Sequence, residues 1–461
     1  MLDTKYLDDD KQFALLVSGL EQRGALGKSI TMDALNECRE NRRIMTKTTT
    51  MLYAAQSRKN QLSRDFGARM KARLDVKDLR ADIEEITAEI THLETIREDR
   101  YSAFMAFWLT VPNMPARNTP VGLTEADNQL RSALPKVTIL HNGKGGYDYV
   151  TENMTQPPQP VFDFTPLDHV ELGQRMGCMD FEQTAKISGS RFVTLSGPLA
   201  KLERVLGQWM VDEAVKAGYR ETAPPHLVKA EAMKGTGQLP KFEEDLFRVG
   251  DMYLIPTAEV SLTNMARDRV YVEGDIAEGL MQHAMVALTP CYRAEAGSAG
   301  RDTRGMIRLH QFNKVELVNI ILNPDLSDIA HASMTAHVCD VMTKLGLNYQ
   351  TMVLCGGELG FSARGTFDIE VWMPSQNRYR EIASISNCDT FQARRMNARY
   401  KPRGSKATEF VSTLNGSGVA VGRALVAVME NYQTEDGGIA IPVVVRDAMG
   451  GSFITPDGSI I

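Results

Sequence analysis

The 461 residues hold no run of about 18 apolar side chains, so no membrane-spanning helix is expected. Cysteine is sparse: Cys38, Cys178, Cys291, Cys339, Cys355 and Cys388 lie far apart, and no two form a C-x-x-C pair. That spacing speaks against a disulfide framework or a structural zinc site, and for a reducing cytoplasm. The first residues, MLDTKYLDDDKQ, are acidic where a signal or transit peptide is basic and then apolar. There is no G-x-x-x-x-G-K-[ST] loop, and no glycine run of the dinucleotide-binding kind opens a helix, so neither of those nucleotide sites is expected. No internal repeat is visible.

What is present fits a soluble protein of more than one domain, since 461 residues exceed what one core usually serves. A net charge of −6 would argue against a nucleic-acid partner if it were spread evenly. It is not: from Arg39 to Arg80 twelve Lys and Arg face only Glu40, Asp65, Asp75 and Asp78, a local charge of +8. Phosphate neutralisation is local, so this segment is where a polyanion would dock.

Residues 31 to about 110 read as two long helices. In the second, Leu79, Ile83, Ile86, Ile90 and Leu93 recur at steps of four and three, the seam of a coiled coil. The pattern of the first breaks between Phe66 and Leu74, around Gly67, which predicts a hairpin tip there. Two readings stand: a dimerisation stalk, or an arm whose basic tip half reaches for a phosphate backbone. Pro112, Pro115 and Pro120 end the helical region, and residues 142–160 read as a polar insertion or linker. From Asp168 onward helical and strand patterns alternate, with RFVTL, MYLI, HQFNKVEL, TFDIEVW and IPVVV as strands of a largely antiparallel sheet.

The chemistry-bearing stretches lie in this second half. PCYRAEAGSAGRDTRGMIRLHQFNKVELV, residues 290–318, reads as two strands joined by a loop carrying Arg301, Arg304 and Arg308 among glycines. Alternation predicts Arg293 and Glu295 on one strand face, either as an ion-paired hairpin or as a nucleotide phosphate site. In TAEVSLTN, Thr257 and Glu259 are two apart, hence on one side of an extended segment, suited to an ammonium or to a solvated edge. Glu316 lies opposite Val315 and Leu317 on its strand and needs a partner if buried, Lys314 or an arginine being the plain choice. Phe312 reads as core or as a surface for stacking a base. In REIASISN, Glu381 and Ser384 offer hard oxygens suited to Mg²⁺, or simply end a strand. LNGSGVAVGRAL brings glycines into a helix start, with Arg423 where anions are favoured.

Together these stretches resemble the seryl-tRNA synthetases, a family of the class II aminoacyl-tRNA synthetases, over nearly the whole chain. Residues 290–318 are similar to motif 2, LAKLERVLGQWMVDEAVKAGYRETAPPHL to motif 1, and 414–433 to motif 3. GTGQLPKFEEDLF, SNCDTFQARRMNARY and IPVVVRDAMGG also resemble that family. The resemblance implies an α+β chain: a long antiparallel two-helix coiled-coil arm, then a class II catalytic domain with a six- to seven-stranded antiparallel sheet. Its expected divisions are 1–115 for the arm, 116–165 for linker and insertion, and 166–461 for the catalytic domain.

The implied activity is ATP-dependent joining of L-serine to tRNA(Ser), with tRNA(Sec) also allowed, by a cytoplasmic homodimer that uses Mg²⁺. Carried over position by position, Arg293 and Arg423 would be catalytic. Both would bind ATP, together with Ala294, Glu295, Leu309, Phe312, Glu381, Ile382, Ala383 and Ser384. Thr257, Ala258, Glu259, Glu316 and Ser417 would bind serine, and Glu381 and Ser384 the metal. Arg58, Lys59, Arg64, Arg69, Lys71 and Arg73 would meet the tRNA. Ala383 stands where a serine is frequent in the family, and 142–160 has no counterpart in its pattern. The rival readings are a serine-activating paralogue serving a carrier protein and a non-catalytic tRNA-binding paralogue.

Overall fold

The computed structural model describes residues 1–133, 136–141, 147–152, 162–272, 282–297, 300 and 304–461. Its contacts divide the chain into two units, Met1–Pro112 and Asn113–Ile461.

The first unit is dominated by two helices, Met32–Lys71 and Lys77–Trp108. Thr31 opens the first, its hydroxyl accepting from Ala34 N at 3.2 Å. Forty residues at 1.5 Å each make this helix about 60 Å long. Gly67 does not end it; the helix runs on to Lys71 and the chain reverses over the next five residues, with Arg73 at φ 54°. One glycine costs a helix about 1 kcal/mol, and the neighbouring Arg64, Ala68, Arg69 and Met70 are good helix formers. The seam is the expected one: Ile86, Ile90 and Leu93 pack on Leu52 and Ala55.

The basic stretch is not uniformly available. At the base, Arg39 is held by Asp10 at 2.8 Å and Arg42 by Asp8 at 2.9 Å. Across the tip, Arg69 meets Asp78 at 2.8 Å, and this contact holds the Asp78 carboxyl below its ordinary range. Arg58, Arg64, Lys71 and Arg73 stay exposed.

The second unit is built on a sheet of eight strands among the described residues. Its spatial order is Gln129–Ala133, Tyr349–Val353, Gly365–Met373, Arg378–Asp389, Ser412–Ala420, Gln311–Ile321, Gln282–Tyr292, Arg220–Glu221. All neighbours are antiparallel except the last pair. The sheet exceeds the expected six or seven strands partly because Gln129–Ala133, from the presumed linker, pairs along its edge. Of the 142–160 stretch, Tyr147–Glu152 pairs with Lys136–His141, and the remainder lies outside the described residues, as does Arg301.

Two expected strands fail for local reasons. IPVVV gives a 3-10 turn, Val443–Val445, because Pro442 offers no amide to a ladder. RFVTL keeps only Thr194–Leu195 as strand, since Arg191 turns the chain at φ 61°.

The central strand 311–321 shows how the sheet sorts side chains. Val315, Leu317 and Ile321 join the core under helices Gly197–Lys216 and Val421–Asn431, while Val318 and Ile320 join a second core with Val260 and Leu262. Period-two alternation therefore puts Lys314 and Glu316 on the second face, toward Thr257. Truncating Leu317, fully buried on the first face, to alanine should cost about 2–5 kcal/mol. Thermal unfolding checks this: a lowered midpoint is expected, and an unchanged one would deny that face its role as core.

Candidate active site

Strand register assembles the pocket. Glu316 lies directly across from Ser417 on the neighbouring strand, at a bulge between Val315 and Glu316. Strand 412–420 then runs into helix Val421–Asn431, so Arg423 stands in the first turn. Its guanidinium donates to Glu381 O at 2.7 Å and sits 3.3 Å from Glu381 Oε1. The Arg423 charge is the main reason the Glu381 carboxyl is held below its ordinary range.

The expected strand face carrying Arg293 and Glu295 is not formed. The strand stops at Tyr292, and Glu295 takes φ 54° in a tight turn. That turn is pinned by Asp245, whose backbone oxygen accepts from Ala294 N at 2.9 Å and whose Oδ1 accepts from Ala296 N at 3.0 Å. Arg293 still reaches inward: Nε donates to Pro256 O at 3.4 Å, and the guanidinium lies 5.2 Å from the Phe312 ring centre. Glu295 is paired with Arg308 at 2.5 Å.

Thr257 and Glu259 also depart from expectation. Glu259 opens a short helix, Glu259–Thr263, and its N–H donates to Thr257 Oγ1 at 3.2 Å. The same hydroxyl accepts from Lys314 Nζ at 2.9 Å, and Lys314 is ion-paired with Glu316. The plain reading of Glu316 as a partner of Lys314 is thus realised, and of the two it is Lys314 that reaches the wall of a pocket. Gln392 Nε2 at 2.6 Å and Asn415 Nδ2 at 3.0 Å donate to Glu259 Oε1. Burial, and next the charge of Glu316, push the Glu259 carboxyl up to about 7.

A cavity of about 150 Å³ gathers Arg293, Glu295, Leu309, Phe312, Glu381, Ile382, Ser417 and Arg423. Glu259 borders a neighbouring cavity of about 210 Å³ with Asn415. Thr257, Ala294, Glu316, Ala383 and Ser384 line neither, and Ala258 is fully buried. The six basic residues singled out on the arm belong to the other unit.

For a divalent cation the donors fit. Asp368 lies directly across from Ser384 on the adjacent strand, and its Oδ1 is buried without a hydrogen-bond partner among the described residues. Burial, then the charge of Glu381, raise its carboxyl well above the ordinary range. Two carboxylates and a hydroxyl are too few for a closed cage but suit Mg²⁺, which keeps waters and phosphate oxygens as ligands. Sequence reasoning missed Asp368, Gln392 and Asn415, which come from separate elements. Lys314, two residues before Glu316, was readable from strand alternation.

The Seryl-tRNA synthetase N-terminal domain family matches residues 1–115, and the tRNA synthetase class II core domain (G, H, P, S and T) matches 241–432. Serine–tRNA ligases of Brucella abortus (strain S19) and Brucella canis are 47% and 46% identical over 457 residues, 98% of both chains in each case. The seryl-tRNA synthetase of Pyrococcus horikoshii, solved with ATP, superposes with a TM-score of 0.85 at 30% identity, covering 99% of this chain and 100% of that one. The cytoplasmic serine–tRNA ligase of Naegleria fowleri, at 24% identity and a TM-score of 0.80 over 99% of both chains, shares the fold. Likeness of this extent, spanning arm and core alike, makes the chain a member of the seryl-tRNA synthetase family of class II aminoacyl-tRNA synthetases.

Proposed function

We propose that this chain is a serine–tRNA ligase that activates L-serine with ATP and passes the seryl group to tRNA(Ser), and to tRNA(Sec) where that tRNA is present. The observation that carries the reading is the meeting of Arg293, Arg423 and Ser417 in one pocket, with Glu316 directly across from Ser417 on the adjacent strand. Two guanidiniums suit a polyphosphate, and a carboxylate beside a hydroxyl suits the polar atoms of serine.

In the first step a serine carboxylate oxygen attacks the α-phosphorus of ATP in line, and pyrophosphate leaves. In the second, a hydroxyl of the terminal tRNA ribose attacks the seryl carbonyl and AMP leaves. Neither step needs a protein nucleophile; orientation and charge neutralisation supply the rate. Arg293 holds the α-phosphate and Arg423 the γ-phosphate, with the adenine framed by Phe312 and the backbone of Ala294, Glu295 and Leu309. Glu381 and Ser384 would hold Mg²⁺, with Ile382 and Ala383 between them in the chain; the bound ion would neutralise phosphate charge. Thr257, Ala258 and Glu259 receive the serine ammonium, while Glu316 and Ser417 read its hydroxyl.

On this reading residues 1–115 form the tRNA-binding arm, 116–165 the connection and 166–461 the catalytic domain, and the protein works in the cytoplasm as a homodimer. Leu288, partly exposed beside Gly207 of helix 197–216, and exposed Val215 on that helix support a second copy docking there. No described helix is long and apolar enough to cross a membrane.

Two outcomes test the reading. Arg58→Glu, Arg64→Glu and Lys71→Glu together should leave serine-dependent ATP–pyrophosphate exchange within about twofold and lower charging of tRNA(Ser) at least tenfold, roughly the scale of lost phosphate contacts. Normal charging by this variant would make the arm a stalk; no exchange with serine in the parent protein would overturn the activity itself.

The second outcome concerns pH. A carboxyl raised to about 7 is neutral below that pH and cannot pair with an ammonium. The KM for serine should therefore rise as pH falls through about 7, by up to about tenfold per unit. Glu259→Gln should have a high KM that no longer follows pH. A parent KM flat from about pH 6 to 8 would remove Glu259 from ammonium binding.

A further inference from the structure

The return limb of the motif 2 loop carries Met306 and Ile307 into the wall of the nucleotide cavity, and something must hold it there. One anchor is direct: Arg423 Nε donates to Ile307 O at 3.4 Å. A second runs through a side chain with no role in the reading above. Met306 N donates to His169 Nε2 at 3.0 Å, and His169 Nδ1 lies 2.8 Å from Glu430 Oε1. Glu430 is on the same helix as Arg423, two turns further on.

We propose that His169 is a positioning residue for ATP, a wedge by which the Glu430 end of the motif 3 helix fixes the Met306 limb of the motif 2 loop. Resting on the nucleotide site proposed above, it adds a determinant of ATP affinity that touches no atom of ATP.

Hydrogen-bond bookkeeping fixes the imidazole in one form. Glu430 Oε1 also accepts from His169 N at 3.3 Å, and Oε2 accepts from Ser375 Oγ at 2.6 Å and Ser375 N at 3.3 Å. A carboxylate can only accept, so the imidazole proton sits on Nδ1 and leaves the Nε2 lone pair for Met306 N–H. Both side chains are buried, His169 at 4% exposure and Glu430 at 0%, so an unmatched donor there has no water to turn to.

The loop is also shaped to fit the ring. Gly305 lies against His169, and a Cβ on it would stand 2.3 Å from Nε2. Its φ of 84° is one that side chains rarely adopt. Alongside, Arg304 pairs with Asp168 at 3.1 Å, a second tie between the same two segments.

His169→Ala should raise the KM for ATP about tenfold, the scale of one buried hydrogen bond, with kcat and the KM for serine within about twofold. His169→Gln, which returns an acceptor near the Nε2 position, should recover most of the loss. Glu430→Met keeps the length but removes the acceptor that holds the ring proton on Nδ1 and the ring in place, so it should also raise the KM for ATP severalfold with the KM for serine within about twofold. It decides the matter if His169→Ala does not fold. An unchanged KM for ATP in Glu430→Met, or equal losses for both substrates, would overturn the proposal. Calorimetric titration with ATP alone keeps the test separate: a parent protein that binds ATP but activates no serine sinks the function above, while the variants still show whether the wedge sets ATP affinity.

Discussion

The catalytic unit depends on a buried ionic cluster in the middle of its sheet. Lys314 is ion-paired with Glu316 and donates to Thr257, and Glu259 stands close enough for its carboxyl to feel the charge of Glu316. Glu316 pairs with that ammonium and Glu259 feels its charge, on a strand whose other side is solid hydrocarbon. Desolvating such charges costs several kcal/mol per ion, and an apolar substitute would commonly be as stable. On the proposed function such charges are kept for a ligand that completes the set: an incoming ammonium would supply positive charge, and a hydroxyl a donor.

The rest of the unit holds that cluster in place. Register puts Ser417 opposite Glu316 and Ser384 opposite Asp368, while Gly418 has no Cβ because one would sit 2.9 Å from Val315 Cγ1. The helix after strand 412–420 brings Arg423 over the pocket at one end and Glu430 under the motif 2 limb at the other. The arm is a separate problem in the same chain. Its seam is apolar and its tip basic, with the lower arginines already neutralised by Asp8 and Asp10.

Much of this was legible in the sequence, because it is written in local periodicity. The heptad-like spacing of Leu79 to Leu93 and the alternation around Glu316 each depend on neighbours a few residues away. What failed was decided at a distance. Arg293 and Glu295 look like strand in CYRAEA, but Asp245, some fifty residues upstream, captures the backbone and turns it. Thr257 and Glu259 look extended, yet the polar groups offered by Lys314, Gln392 and Asn415 reward a turn into helix. Asp368, Gln392 and Asn415 left no signal, since each is ordinary in its own segment and meets its partners only through the fold: Asp368 and Asn415 by sheet register, Gln392 from the helix Phe391–Met396. The hairpin tip expected between Phe66 and Leu74 forms at the far end of that span, over residues 72–76, because one weak helix former at Gly67 does not outweigh its flanking residues.

The central claim is that Glu316 reads the serine hydroxyl from within this cluster. A pocket built to bond a hydroxyl rejects the analogue lacking it by ~10⁴-fold or more, because a buried polar group is left unmatched. The direct measurement is the ratio of pyrophosphate-exchange efficiencies, kcat/KM, for serine and alanine in the parent protein and in Glu316→Gln. Activation of serine should fall sharply in the variant while its margin over alanine narrows. A ratio that stays the same would contradict the account and leave Glu316 as nothing more than the counter-ion of Lys314.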